Sequence, residues 1–295
     1  MIFQKALSPA HVAQLVEGNK DTVSGFVLNA ADAVGLPLGR LFQAHGVGFA
    51  GSPWDPNAEH FDVLRFNEPL GIYCHAPVVP EFIDRPPVTG NGFALFDGGY
   101  VPHYFLDEVR IPAGAELFRI TPDGKGRFLA VYRDVANGWA LATETGIKTP
   151  VQSHPSHLMG WVAVWRGIRY SADLAKDQKA VILAATSEPP ADQEGFTRTD
   201  RGCWSREVPL AELDEFYELN ATCRWNGQPF RITATAYDGD TQLFRLFYTG
   251  HNADTAESLR LNKADAGVYW TVVPKSEVTD IKLVQNILKD LRVGS

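Results

Sequence analysis

The sequence of 295 residues contains only three cysteines and two methionines. Cys74, Cys203 and Cys223 form no close pair, so the sequence offers neither a disulfide framework nor a C-x-x-C metal motif. It also has no run of about 18 apolar residues, the length that a membrane-spanning helix needs. The first residues, up to Pro9, contain no apolar signal-peptide core. From these features we expect a cytoplasmic protein that binds no membrane and no metal ion.

Positive charge is scarce as well. The chain has 27 lysines and arginines against 35 aspartates and glutamates, which gives a net charge of −8. Nucleic-acid binding depends mainly on clustered lysine and arginine side chains, so we expect no nucleic-acid partner. The negative field favours a cationic protein surface instead.

The common catalytic motifs are missing from the sequence. There is no phosphate-binding G-x-x-x-x-G-K-[ST] loop, no G-x-G-x-x-G that opens a helix, no G-x-S-x-G elbow, no H-E-x-x-H and no EF-hand loop. These absences exclude the usual nucleotide-binding, serine-hydrolase and zinc-protease classes. We therefore expect no cofactor.

One segment of the first half could still support acid–base chemistry. Residues 100–108 are rich in titratable and aromatic side chains, and carboxylates near a histidine can shift one another's pKa values. If the protein is a hydrolase or transferase, His103, Asp107 and Glu108 would be its catalytic residues, assisted by His60 or His75. The alternative interpretation is a turn whose aromatic side chains pack while its acids face solvent.

The first half of the chain predicts a mixed α/β domain over residues 1–152. Ser8 and Pro9 are typical of a helix start, and we expect helices over 10–17 and 30–44. Dense prolines in 46–89 favour loops and short strands. Aromatic and β-branched runs predict strands over 92–96, 116–120, 128–132 and 138–142. The polar segment 143–157 marks the domain boundary.

The second half contains an internal repeat. Its anchors are Trp165-x-Gly167, which matches Trp225-x-Gly227, and Asp200-x-Gly202-x-Trp204, which matches Asp265-x-Gly267-x-Tyr269. Each anchor is a tight turn next to a strand, so we expect two antiparallel β modules over about 160–219 and 220–284. The spacing of apolar residues in 278–291 predicts a closing helix. The prediction is thus an α+β fold with a duplicated β domain over 158–295.

A W-x-G start with a D-x-G-x-[WY] and V-P ending resembles the immunity factors of actinobacterial polymorphic toxins, in particular those of the tuberculosis necrotizing toxin type. The resemblance covers residues 160–285 at most and leaves the first domain unexplained. It implies a cytosolic protein that binds a secreted toxin, such as an NAD glycohydrolase, and blocks it by steric occlusion without chemistry of its own. On this basis a binding protein is favoured over an enzyme.

Acidic and aromatic residues of the repeat loops are the candidates for contact with a basic protein partner. An acidic cluster is usually a solvated face, and aromatic residues of small β modules usually form core. Aromatic side chains also anchor interfaces, and acidic loops accelerate encounter with a basic target. The candidates are Glu188, Asp192, Glu194, Asp238, Asp240 and Trp270. The sequence leaves the oligomeric state open.

Overall fold

The computed structural model describes residues 1–49, 54–55, 57–69, 83 and 92–287, and the backbone of 74–75. The fold is mostly β, so the prediction of an α+β fold with a mixed α/β first domain is wrong. The three α-helices in the described residues are short: α1 is Pro9–Val12, α2 is Leu38–His45 and α3 is Ala253–Ser258. None of the described helices has the length and apolar character to cross a bilayer.

Eight of the ten described strands of the first half form one antiparallel sheet. Its spatial order is β10-β9-β8-β3-β1-β2-β7-β4, and β5 and β6 form a separate hairpin. The prediction did not include the first three strands, which contribute the centre of this sheet. The bounds are β1 Ile2–Leu7, β2 Thr22–Asn29, β3 Phe61–Asn67, β4 Cys74–His75, β5 Phe93–Phe96, β6 Gly99–Pro102, β7 Tyr104–Arg110, β8 Ala115–Ile120, β9 Gly126–Tyr132 and β10 Trp139–Leu141.

Helical segments cover both faces of this first sheet. Ser8 caps α1, because its Oγ accepts the N–H of His11 at 3.3 Å, as the sequence predicts. The chain continues as a π-helical turn over Ala13–Glu17, and Leu15 and Val16 pack into one core cluster. On the opposite face, α2 contributes Leu41 to a second cluster. The sheet is therefore buried on both sides.

The second sheet contains eleven strands in the described part of the chain, in the order β14-β15-β13-β12-β11-β16-β17-β18-β20-β19, with β21 paired to β16. The first five strands repeat as the next five, each set followed by a short 3-10 turn. The bounds are β11 Met159–Trp165, β12 Ile168–Leu174, β13 Ala180–Ala185, β14 Thr197–Arg198, β15 Trp204–Pro209, β16 Glu215–Trp225, β17 Gln228–Asp238, β18 Thr241–Tyr248, β19 Asn262–Asp265, β20 Val268–Pro274 and β21 Thr279–Asn286.

The two Trp-x-Gly segments form matching two-residue hairpin turns. Arg166 and Gly167 have φ values of 50° and 73° between β11 and β12, while Asn226 and Gly227 have 49° and 74° between β16 and β17. Positive φ at both central residues is the geometry of a type I′ turn, whose twist suits antiparallel strands. The sequence pattern thus marks equivalent places in the second sheet. The division of the chain into 1–152 and 158–295 stays a prediction.

The expected C-terminal helix over 278–291 is wrong in its described part. Thr279–Asn286 is strand β21, which pairs antiparallel with β16 from Glu218↔Asn286 to Arg224↔Thr279. The apolar spacing that suggests a helix also fits an extended strand here. The exposed edge of β16 supplies backbone hydrogen-bond partners that no local pattern reveals, and pairing with it decides the conformation. Residues 288–291 lie outside the described residues.

The two sheets meet across buried ion pairs, each joining one residue of the first half to one of the second. Lys5 Nζ lies 2.7 Å from Asp265 Oδ2, and Arg201 Nη2 lies 3.2 Å from Asp21 Oδ2. Arg110 and Glu108 of β7 face Asp173 of β12 and Arg245 of β18 in the same way. A buried charge is tolerated only when it is paired. These pairs therefore fix how the two sheets sit against each other.

Candidate functional site

Strand β21 presents the largest group of neighbouring exposed apolar side chains in the described part of the second sheet. All eight of its residues are exposed, and so is Ile287 directly after it. Ile281, Leu283, Val284 and Ile287 have 42%, 55%, 41% and 68% of their side-chain surface in solvent. We call Thr279–Asn286 with Ile287 the β21 edge. Neighbouring exposed apolar side chains are a common feature of surfaces that contact another molecule.

The outer side of β21 is a sheet edge within the part of the chain that the structure describes. One side of β21 pairs with β16, and no described strand pairs with its other side. An unpaired edge presents a row of free N–H and C=O groups that can accept another strand. Alternation along the strand places Ile281 and Leu283 on one face and Lys282 and Val284 on the other. The arrangement can bind an extended segment through main-chain hydrogen bonds while apolar side chains contact both faces.

The predicted partner residues fall into separate parts of the second sheet. Glu188, Asp192 and Glu194 are exposed in the loop between β13 and β14, where the carbonyl of Asp192 accepts Nη1 of Arg166 at 3.3 Å. Asp238 is exposed at the β17–β18 turn with Asp240. Strands β12, β11 and β16 lie between β13 and β17 in the sheet order. The structure therefore does not bring the two acidic groups together.

Trp270 belongs to strand β20 and is only partly exposed. The guanidinium of Arg245 lies 5.1 Å from the centre of its ring, close enough for a cation–π contact. The same arginine pairs with Glu108 of the first half. Trp270 therefore borders the interface between the two sheets rather than either acidic loop.

The three predicted catalytic residues lie on or beside β7 but contact different groups. Nε2 of His103 lies 2.7 Å from the carbonyl oxygen of Ala44. Asp107 Oδ1 lies 3.4 Å from Nε2 of His251. Glu108 accepts the hydroxyl of Thr22 at 2.8 Å. Each of the three side chains thus has a different partner, and their role as an acid–base centre stays a prediction.

Burial and charge affect the acid and the histidine differently. Burial raises the pKa of Glu108, but Lys20 and Arg245 outweigh burial and hold it below the ordinary value of a glutamate. Glu108 is therefore a carboxylate near neutral pH. Burial lowers the pKa of His103, although the hydrogen bond to Ala44 opposes this. His103 is therefore a neutral imidazole near neutral pH.

His60 and His75 are the histidines expected to assist this acid–base centre. His60 lies 3.8 Å from Asp62, and the side chain of His75 is outside the described residues. Within the ranges that the structure describes, no group of three or more His, Cys, Asp or Glu side chains could hold a metal ion.

Residues 159–289 match the model of a family described as "Uncharacterised conserved protein UCP033725". No curated protein and no solved structure matches the chain. The family description names no activity and says nothing of immunity factors, so that resemblance stays a prediction. The matched segment spans β11 to β21 and so includes the β21 edge.

Sequence reasoning missed the β21 edge because it interpreted the segment as a helix. A signal was present, since Ile281, Leu283 and Ile287 all fall on odd positions of an extended strand. Thr279, Ile281 and Val284 are β-branched, which favours a strand over a helix. No local signal would have shown which strand β21 pairs with.

Proposed function

We propose that this chain is a protein-binding protein of the immunity type, which blocks a secreted toxin by occupying part of its surface. The observation that carries the proposal is the β21 edge, whose outer side pairs with no described strand and which presents four exposed apolar side chains at the end of the family-matched segment. A partner strand that pairs with β21 would complete the hydrogen bonding of this edge. The proposal needs no catalytic group in this chain.

The charge of the chain supports the kind of partner. The net charge is −8, and the loop with Glu188, Asp192 and Glu194 is exposed. A negative field accelerates encounter with a basic surface, while apolar contacts at a strand edge supply the lasting affinity. The proposed occupant of β21 is therefore an extended segment of a basic toxin domain, with apolar residues at alternate positions.

The test uses the toxin domain encoded beside the gene of this chain in its native genome. Its NAD glycohydrolase activity is measured while the purified full chain is added. We expect the activity to fall to background at a molar ratio near one. Unchanged activity at a tenfold excess would contradict the proposal, and so would a genome without a secreted toxin gene at that position.

Two leucine-to-aspartate variants test whether the toxin contacts the β21 edge. Leu283→Asp puts a charge in the β21 edge, whereas Leu95→Asp puts the same charge at another exposed leucine, in the β5–β6 hairpin. We expect Leu283→Asp to raise the inhibitory concentration by at least about tenfold, because one desolvated charge costs well over 1.4 kcal/mol at an interface. Leu95→Asp should inhibit like the unmodified chain.

A further inference from the structure

A cavity of about 60 Å³ lies between the first sheet and the second copy of the repeat, away from β21. One water molecule needs roughly 10–15 Å³ of such space, so the cavity can hold a group of several non-hydrogen atoms. Phe49 and Phe93 line it and are each more than a third exposed, which places its mouth at these two rings. Its wall includes Lys5, His45, Trp54, Phe93, His103 and Asp265.

The charged groups of the cavity wall neutralise each other. Lys5 Nζ lies 2.7 Å from Asp265 Oδ2, and the backbone N–H of Ala266 donates to Asp265 Oδ1 at 2.8 Å. His45 contributes no charge near neutral pH, because burial, with smaller effects from His103 and Lys5, holds its pKa well below the ordinary value. A charged ligand would therefore enter without a counter-ion, which is costly in a buried site.

Hydrogen bonds fix which nitrogen of His45 carries the proton. Arg65 Nε donates to Gln4 Oε1 at 2.8 Å, which leaves the amide nitrogen of Gln4 facing His45 Nε2 at 2.9 Å. An amide nitrogen only donates, so Nε2 of His45 accepts. In a neutral imidazole the proton then sits on Nδ1. His45 is left with an N–H donor that has no hydrogen-bond partner among the described residues.

His103 has the opposite tautomer. Its Nε2 lies 2.7 Å from the carbonyl oxygen of Ala44, and a carbonyl only accepts, so Nε2 carries the proton. Nδ1 of His103 is then an acceptor, again without a partner in the described part of the chain. The wall thus contains one unused donor and one unused acceptor, both on rigid rings.

We propose that this cavity is a binding site for a small, uncharged, planar heterocycle that carries one hydrogen-bond donor and one acceptor. The ligand would accept from His45 and donate to His103, with its ring among the aromatic side chains of Trp54 and Phe93. Ligand sites are typically apolar cavities with a few fixed polar groups, which is the pattern here. The site is separate from the β21 edge, and its occupation does not depend on the proposed protein partner.

Pyrazole is the probe, because it is neutral at pH 7, planar and has one donor and one acceptor. The full chain is labelled with ¹⁵N-histidine, and the ring nitrogens are followed by NMR during titration with pyrazole. We expect the Nδ1 signals of His45 and His103 to shift and saturate with a dissociation constant of about 1 mM or lower, as small ligands of five heavy atoms can reach. No saturable shift up to 100-fold that concentration overturns the proposal.

Control ligands and variants make the result specific. 1-Methylpyrazole lacks the donor and should bind at least about tenfold more weakly, as the loss of one buried hydrogen bond implies. His103→Phe should weaken the binding of pyrazole to the same degree. His157→Phe, at an exposed position, should leave the binding unchanged. If His103→Phe does not fold, His45→Asn provides the same comparison. If acetate or guanidinium binds as tightly as pyrazole, the assignment of an uncharged ligand is overturned.

Discussion

Lys5 of the first strand and Asp265 of the second repeat copy form an ion pair of 2.7 Å although 260 positions separate them in the sequence. Both side chains are less than a tenth exposed. Burial raises the pKa of Asp265, but Lys5 and His11 outweigh burial and keep it below the ordinary value. The pair therefore ties the two sheets together through charge as well as apolar contact.

Removing one member of this pair should destabilise the protein severely. Lys5→Met leaves the carboxylate of Asp265 buried without its main partner, and we expect the free energy of unfolding to fall by about 3–5 kcal/mol. Urea denaturation measures the loss. The matched control is Lys125→Met, which breaks an exposed pair with Asp123 of the same length and should cost less than about 1 kcal/mol. Equal losses in the two variants would show that the Lys5 pair is not effectively buried.

The buried carboxyl of Asp173 should make stability depend on pH. Burial raises its pKa to about 7, although Arg110 opposes the shift. Because the folded pKa exceeds the unfolded one, the stabilisation is complete below about pH 4 and is lost as the pH rises through 7. Between pH 5 and 8 the unfolding free energy should fall less steeply in Asp173→Asn than in the unmodified chain. We expect the two slopes to differ by about 1 kcal/mol per pH unit.

The Asp173→Asn variant is readily interpreted, because an asparagine can still accept the N–H of Val135 that Asp173 accepts at 2.7 Å. Urea denaturation at pH 5, 6, 7 and 8 provides the comparison. Asp200→Asn, at an exposed position, controls for the loss of one negative charge. A decline as steep in Asp173→Asn as in the unmodified chain would assign the pH dependence to other groups.

The two hairpin turns should respond alike to the same substitution. Gly167→Ala and Gly227→Ala each place a side chain at positive φ, with no atom within 4 Å of the added Cβ. Backbone strain alone should therefore cost about 1–2 kcal/mol at both sites. Gly39→Ala also meets open space but lies in α2, where it should stabilise by up to about 1 kcal/mol. If only one of the two glycine variants loses stability in urea denaturation, the two turns are not equivalent.

The acidic loop should govern how fast the partner binds. Reversal of Glu188, Asp192 and Glu194 to lysine should slow association with the neighbouring toxin domain by about tenfold at low salt. In 0.5 M salt the difference should largely vanish, because screening removes it. Association rates come from stopped-flow fluorescence. The control with the same change in net charge replaces three exposed residues of the first half by lysine: Asp32, Glu59 and Glu144. If this control associates as slowly as the loop variant, the loop has no local role.

Local chemistry explains what the sequence could predict. Ser8 caps a helix wherever its hydroxyl can accept a free N–H, and Gly167 and Gly227 mark turns because few other residues accept positive φ. The fold class was wrong because β1 and β2 carry little alternation. Every residue of β1 after Ile2 is buried, and β2 is buried or half-buried along its whole length, so neither strand shows the alternation of a half-exposed strand.

The parts that escaped prediction depend on distant partners. Ile281 and Val284 are three apart, as on a helix face, but β16 pairs with this segment and makes it a strand. The cavity requires Lys5, His45 and Asp265 to meet, and nothing in the sequence near any of them indicates the other two. Such sites depend on tertiary packing, which overrides local preference.

Hydrogen–deuterium exchange of the full chain, alone and with the neighbouring toxin domain, tests the central claim most directly. The account predicts that amides of Thr279–Asn286 exchange more slowly in the complex, because a partner strand pairs with them. Amides of β10, an edge strand of the first sheet, should exchange at the same rate in both states. Protection confined to other segments, with β21 unchanged, would contradict binding through this edge.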